Sequence, residues 1–372
     1  MNITFCLAQG FIIPKDKFID TLNIEIVDGY PTIPVKIKDR TYKFLLDTGS
    51  DATYISKVDI PGIILTGDTT NVVGFESGRR ANAIIENIQI GNLNFGHIPA
   101  TVHRVTSTDE DGIIGYNFLK AGIVAKLQMR DRKLILSNDL KAFDSEKGKH
   151  IKLLKGYNFP MFYTEPLKGI KTVTMLDTGN PDGYLLSMQS WKKYKETIKG
   201  KSPDELIKQI VWFNFQTLPE KLWGEIGEDV FFRFDNIKLK DISFRRVAGS
   251  LVKVPFSNMG TRFCEDFDII INAPKNELIC LTDKKEFYPE TSGVNFKPVS
   301  YYGETQQRIC SLNPKIELYK LGVRFGDIID EVDGITIDCN ETLRRALRGK
   351  KTVRMKLTTT KGKEVETEVS EY

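Results

Sequence analysis

Histidine is scarce in this chain: 372 residues hold only His97, His103 and His150. A zinc site draws on Cys and His at short spacings, and no Cys-x-x-Cys pair occurs, so a metal centre is not expected. The same scarcity argues against a Ser-His or Cys-His nucleophile. His97 and His103 flank a strand candidate and read as structural or exposed. No apolar run approaches the ~18–20 residues of a membrane span. Charge of one sign is also lacking: 53 basic residues meet 49 acidic ones, a net of +4, too balanced to point to nucleic acid. The basic pairs Lys192-Lys193, Arg245-Arg246 and Lys350-Lys351 read as solvated faces. Of five cysteines, four remain if Cys6 is removed with a leader, which permits disulfides without requiring them. The start, Met1 to Gly10, reads either as the remnant of a secretory signal or as a plain first strand. The first reading places the protein in the periplasm or outside the cell.

What is present is a repeated tripeptide. Asp-Thr-Gly closes two apolar runs, Phe44-Leu45-Leu46-Asp47-Thr48-Gly49-Ser50 and Val173-Thr174-Met175-Leu176-Asp177-Thr178-Gly179-Asn180. Average residue usage predicts about 0.1 such tripeptides in a chain of this length, so chance is a poor explanation for two. Short β-rich runs alternate with Gly, Asn, Asp and Pro breaks, the pattern of a mainly β chain. Leu22–Val27, Thr32–Ile37 and Tyr42–Leu46 are strand candidates before the first tripeptide, and Ile84–Ile90 and Leu93–Val102 form a hairpin candidate after it.

The second half repeats this order. Glu86–Phe95 parallels Asp235–Phe244 without a gap, Ile114–Phe118 parallels Met259–Phe263, and Arg132–Leu136 parallels Asn276–Leu281. A repeat of roughly 130–150 residues exceeds the ~20–50 of solenoids and reads as a duplicated domain. The second copy carries an insert. A helix is expected over Met188–Lys199, and Ser202-Pro203-Asp204-Glu205 predicts a capped helix running through Ile210. Asn138–His150 is a polar linker candidate. The tail differs: a short helix and Gly turn from Leu318 to Gly334, a helix over Glu341–Arg348, then strands Thr352–Leu357 and Glu364–Val369. The expected division is therefore 1–20 as an N-terminal segment, 21–140 and 150–285 as two lobes, and 295–372 as a separate domain.

The two Asp-Thr-Gly turns, with Asp111-Gly112-Ile113-Ile114-Gly115 downstream of the first, resemble the aspartic peptidases of the pepsin and retropepsin type. The spacing within each lobe resembles the compact bacterial, retropepsin-like members more than pepsin itself. The second lobe departs from the pattern, with Asn258-Met259-Gly260 where an apolar-apolar-Gly element is usual. The stretch Leu321-Gly322-Val323-Arg324-Phe325-Gly326-Asp327-Ile328-Ile329 resembles a PDZ domain. The fold implied is mainly β: two pseudo-symmetric protease lobes followed by a small α+β domain.

The resemblance implies an aspartic endopeptidase acting on polypeptides without a metal or other cofactor, with Asp47 and Asp177 as joint catalytic residues. Two carboxyl groups about 3 Å apart cannot both ionise at ordinary pH, so the pair shares one proton. The charged member then takes a proton from water while the protonated member polarises the peptide carbonyl. Gly49 and Gly179 allow close backbone approach behind the carboxyls. By resemblance, Thr48 and Thr178 bond across to lock the turns together, and Ile113-Ile114-Gly115 packs beneath the first. Ser50 is expected to donate to the outer oxygen of Asp47, with Asn180 in the matching place. A hairpin flap is expected over Asn71–Ala81, with Val73, Gly74 and Phe75 facing substrate, and Phe215–Asp229 is the candidate for a second flap or closing loop. The PDZ-like tail is expected either to bind a C-terminal or extended peptide or only to pack on the protease. Two rival readings stand beside the endopeptidase: a non-catalytic peptide-binding scaffold, and a processing protease restricted to its own precursor or one partner.

Overall fold

The structure is a computed structural model. It describes residues 11–372 apart from 28, 73–77, 104–109, 168, 182, 188, 191–209, 218–227, 253–254, 289–293, 302–303, 313–316, 325, 339, 348–349, 351 and 370–372. The expected helix over Met188–Lys199, save positions 189–190, and the segment Met1–Gly10 lie outside the described residues. The chain divides into two compact units: Met1–Thr164 with Val173–Asp182 and Phe256–Lys285, and Glu165–Thr172 with Gly183–Pro255 and Glu286–Tyr372. The expected second lobe, 150–285, is thus shared between them.

The first half of the chain contributes strands β1 (Ile19–Asn23), β2 (Glu25–Val27), β3 (Tyr30–Ile37), β4 (Arg40–Asp47), β5 (Thr53–Ile55), β6 (Ile63–Val72), β7 (Gly78–Ile90), β8 (Leu93–Val102) and β9 (Gly112–Gly115). Helix α1 (Tyr116–Lys120) and strands β10 (Val124–Gln128), β11 (Lys133–Ser137) and β12 (Lys149–Lys152) follow. Eight of these strands form one sheet, ordered β2-β3-β4-β9-β5-β8-β7-β6. Alternation sets its faces: Ile33, Val35 and Ile37 of β3 are buried while Pro34 and Lys36 are exposed. Phe44, Ile85, Ile98 and Ile114 join that core, each fully buried, and each such side chain contributes about 1.5–3 kcal/mol.

The second half adds β13 (Met161–Leu167), β14 (Ile170–Leu176), β15 (Tyr184–Ser187), β16 (Ile210–Thr217), β17 (Glu228–Leu239), β18 (Ile242–Val252), β19 (Ser257–Met259), a 3-10 helix (Thr261–Cys264), β20 (Asp268–Asn272), β21 (Glu277–Leu281) and β22 (Glu286–Phe287). The pairings repeat those of the first half. The parallel pair β4–β9 recurs as β14–β19, and the parallel pair β5–β8 as β15–β18. The hairpins β6–β7 and β7–β8 recur as β16–β17 and β17–β18. Even the turn residues correspond: Gly91 and Lys240 take positive φ between their strands, as do Arg132 and Asn276. A six-stranded sheet ordered β1-β11-β10-β20-β21-β12 joins strands of the two halves within the first unit. Asn138–His150 leads into it as turns and β12, not as a free linker.

One expectation fails in the insert. Ile210 begins a strand, not the end of a helix, because Ile210 to Gln216 pair antiparallel with Phe234 to Glu228. The sequence there, Ile-Val-Trp-Phe-Asn-Phe, is rich in β-branched and aromatic residues, which favour a strand, and the rest of that expected helix, 202–209, lies outside the described residues.

The tail begins with a hairpin, β23 (Val294–Tyr301) and β24 (Glu304–Leu312), followed by α2 (Glu317–Lys320), β25 (Ile328–Val332), β26 (Ile335–Thr336), α3 (Asn340–Leu347), β27 (Val353–Thr358) and β28 (Glu364–Val369). Strand β24 also pairs with the end of β16, at Gln216–Thr217. The last four strands make a sheet ordered β26-β25-β27-β28, over a core that includes Leu318, Val332, Leu343, Met355 and Val369. The Gly326-Asp327 pair has a structural task. Asp327 is buried and its carboxylate accepts the N–H groups of Arg324 (2.9 Å) and Thr360 (2.8 Å), fastening the turn before β25 to the β27–β28 loop.

Candidate active site

Both Asp-Thr-Gly tripeptides sit where a strand runs out into a turn. Asp47 ends β4 and Asp177 follows β14. In each turn the glycine N–H folds back onto the aspartate: Gly49 donates to Asp47 Oδ1 at 2.7 Å and Gly179 to Asp177 Oδ1 at 3.0 Å. Each turn is then closed by the residue after the glycine, Ser50 N–H to Asp47 C=O and Asn180 N–H to Asp177 C=O. The carbonyl of that same residue accepts the first N–H of the following helix: Tyr116 N–H to Ser50 O, 2.7 Å, and Thr261 N–H to Asn180 O, 2.8 Å.

The two turns are interlocked. Thr48 Oγ1 donates to Leu176 C=O (2.7 Å) and accepts the Thr178 N–H (3.1 Å). Thr178 Oγ1 donates to Leu46 C=O (2.6 Å) and accepts the Thr48 N–H (2.9 Å). All four bonds are buried and connect residues about 130 apart in sequence. They bring the Asp47 and Asp177 side chains into mutual hydrogen-bond contact. Glycine is required by this closeness. A Cβ on Gly49 would lie 2.3 Å from Asp177 Oδ1, and one on Gly179 would lie 2.4 Å from Asp47 Oδ1.

Ile113-Ile114-Gly115 forms β9, in parallel register with Leu45-Leu46-Asp47. The second turn has the same support, Thr174-Met175-Leu176 against Ser257-Asn258-Met259. The tip of the expected flap, Val73, Gly74 and Phe75, lies outside the described residues, but β6 and β7 on either side of it pair as a long hairpin. The candidate second flap, Phe215–Asp229, begins in β16 and ends in β17, which pair as a hairpin, and its positions 218–227 lie outside the described residues.

Two expected contacts are replaced by others. Ser50 Oγ donates to Ala52 C=O at 2.8 Å, not to the outer oxygen of Asp47. The Asn180 amide does not reach the outer oxygen of Asp177 directly. It donates to Asn258 Oδ1 (2.7 Å), and Asn258 Nδ2 donates to Asp177 Oδ2 at 2.9 Å. Asn258 is thus a member of the site that sequence reading treated only as a loose match to an apolar pattern. Its polarity at a place where Ile113 stands in the first half was the available signal. Tyr54 was also missed. Burial, then the charges of Asp51 and Asp47, push its phenol up to about 12, so it stays protonated beside the first turn.

Electrostatics follow from the enclosure. Burial raises both carboxyl groups above the ordinary range, and the charge of Asp47 raises Asp177 further, against the lowering effect of the turn N–H groups. The pair therefore takes up protons as a unit and resists losing both. Among the described residues no group of three or more His, Cys, Asp or Glu is placed to hold a metal ion. Cys264 and Cys280 are buried free thiols held in the protonated form by burial, with Cys280 pushed up to about 12. No described helix is long and apolar enough to cross a membrane.

A family model described as gag-polyprotein putative aspartyl protease matches residues 33–121, the stretch from β3 to the end of α1. That segment, which holds Asp47 and Ile113-Ile114-Gly115, is similar to retropepsin-like aspartic protease domains. No curated protein matches the chain.

Proposed function

We propose that the protein is an aspartic endopeptidase in which Asp47 and Asp177 act as one catalytic pair. The observation that carries the reading is the reciprocal threonine lock, which brings two carboxyl groups from corresponding turns into hydrogen-bond contact. With one proton shared, the ionised carboxyl takes a proton from a water held between the two, and that water attacks the peptide carbonyl. The protonated carboxyl polarises the carbonyl oxygen and the pair returns a proton to the leaving amine. Thr48, Gly49, Thr178 and Gly179 hold the geometry, and Ile113, Ile114 and Gly115 support it from below. Substrate is an extended polypeptide. The hairpin β6–β7, which spans the expected flap residues Val73, Gly74 and Phe75, is the part that would close over it.

We assign peptide binding to the PDZ-like tail, on the strength of its resemblance and of a helix, α3, between strands β26 and β27. Addition of a strand to a sheet edge is the mode expected.

Digestion of denatured casein between about pH 3 and 7, with and without a transition-state-mimicking peptide inhibitor of aspartic peptidases, tests the proposal. Cleavage suppressed by the inhibitor is expected. Absence of cleavage, with no cutting of the protein's own chain or of a partner, would favour the scaffold reading.

A further inference from the structure

The second turn differs from the first in one buried place. Ile113 of β9 lies opposite Leu45, and in the corresponding pairing Asn258 of β19 lies opposite Met175. Asn258 is 3 % exposed. A buried amide at an otherwise apolar position is costly unless its polar atoms are paired. Both ends of this one are: Oδ1 accepts from Asn180 Nδ2 at 2.7 Å, and Nδ2 donates to Asp177 Oδ2 at 2.9 Å. In this arrangement Asn180 supplies an N–H to the amide oxygen of Asn258, whose amide nitrogen then faces the Asp177 carboxyl.

Asp177 thus has both oxygens engaged, Oδ1 by the Gly179 N–H and Oδ2 by Asn258. In the first turn the hydroxyl that stands three residues after Asp47 is directed to Ala52 C=O instead. We propose that Asn258, oriented by Asn180, is a positioning residue that fixes the rotation of the Asp177 carboxyl and stabilises its charged form. The proposal rests on reading Asp47 and Asp177 as the catalytic pair. Nearby titratable groups include Asp51 and Tyr54 beside the first turn, where the charges of Asp51 and Asp47 act on the Tyr54 phenol, and Arg262, buried in the 3-10 helix after β19. None of them is altered by changing Asn258.

The deciding quantity is the sum of the two apparent pKa values of the pair. The total free energy of removing both protons does not depend on which carboxyl loses its proton first. A hydrogen bond from a neutral amide to a charged carboxyl favours the ion, so its loss raises that sum by roughly one to two pH units. The measurement is carbon-13 NMR titration of the protein labelled at the Asp carboxyl carbons, with the pair assigned from Asp47→Asn and Asp177→Asn spectra. Asn258→Ile, which copies the first-half residue, is expected to raise the sum by about one unit or more. Asn180→Ala, which leaves Asn258 in place but unoriented, is expected to raise it by about half a unit, since part of one such bond is lost. If Asn258→Ile does not fold, as judged by circular dichroism, Asn180→Ala carries the test alone. A sum unchanged from wild type in the folded variants overturns the proposal. The titration does not depend on turnover: a raised sum in a protein that cleaves nothing would defeat the peptidase reading and leave the role of Asn258 standing. Where cleavage occurs, Asn258→Ile is expected to lower kcat about tenfold with little change in KM, the cost of a bond worth about 1.4 kcal/mol.

Discussion

Replacing Gly49 by alanine should cripple catalysis through a single added methyl group. The backbone there has no positive φ to strain an L-residue, so the effect is one of space alone. The new Cβ would lie 2.3 Å from Asp177 Oδ1, 2.4 Å from its Cγ and 2.8 Å from Oδ2, whereas ordinary contact begins near 3.4 Å. The carboxyl or the turn must give way by about 1.1 Å. Asp177 has little freedom to retreat, since Gly179 and Asn258 hold its two oxygens and Leu176 is buried next to it. A misplacement of about 1 Å costs on the order of 10²-fold in rate, or roughly 2.7 kcal/mol of transition-state stabilisation. The expected outcome is a fall in kcat of about 100-fold or more, with KM nearly unchanged because groups away from the pair still bind substrate. A fluorogenic peptide cut by the wild type, assayed on both Gly49→Ala and the reciprocal Gly179→Ala, reads this directly. Gly156→Ala is the control: it has φ of +86° and nothing within 4 Å of the added Cβ, so it carries backbone strain without touching the carboxyls. Wild-type kcat in folded Gly49→Ala and Gly179→Ala would refute the account of why glycine stands there.

Two further outcomes follow from the same geometry. Thr48→Val removes a hydroxyl that donates to Leu176 C=O and accepts the Thr178 N–H, leaving two buried groups unpaired. At about 1–3 kcal/mol for each, chemical denaturation should show a loss of roughly 2–6 kcal/mol, and Thr178→Val should lose a similar amount. The pH dependence of stability has a defined sign. Burial raises the folded pKa of both Asp47 and Asp177 above the unfolded value, which is near 3.9. The folded state therefore holds these protons more tightly, and their contribution is fullest below that value and lost as pH rises toward the folded pKa. Asp177→Asn lacks this titration, so its melting temperature should gain on that of the wild type as pH rises from about 4 to 7. A constant difference across that range would contradict the raised pKa.

Much of this fold was legible because its signals are local. The strands around Val35 and Ile88 alternate, Phe44-Leu45-Leu46 is a buried apolar run, and the Gly91-Asn92 turn marks its hairpin. The duplication was visible because Glu86–Phe95 and Asp235–Phe244 keep the same spacing, and they fold into the same pairing. Less legible were features that depend on distant partners. The strand from Ile210 carries β-branched and aromatic residues, but its start is set by pairing with Phe234 of β17, further on in sequence. Ser50 is a separate case, since its hydroxyl turns to a carbonyl only two residues on, at Ala52, and a short turn offers several acceptors at that range. Asn258 was read as a flaw in an apolar pattern because its partners, Asp177 and Asn180, lie about 80 residues away in sequence.

The most direct test of the central claim is cleavage of one peptide substrate by wild type, Asp47→Asn and Asp177→Asn, with circular dichroism confirming that each is folded. The account predicts that either substitution alone abolishes cleavage, because the remaining carboxyl has no partner with which to share a proton. Substantial activity in either folded variant would contradict it.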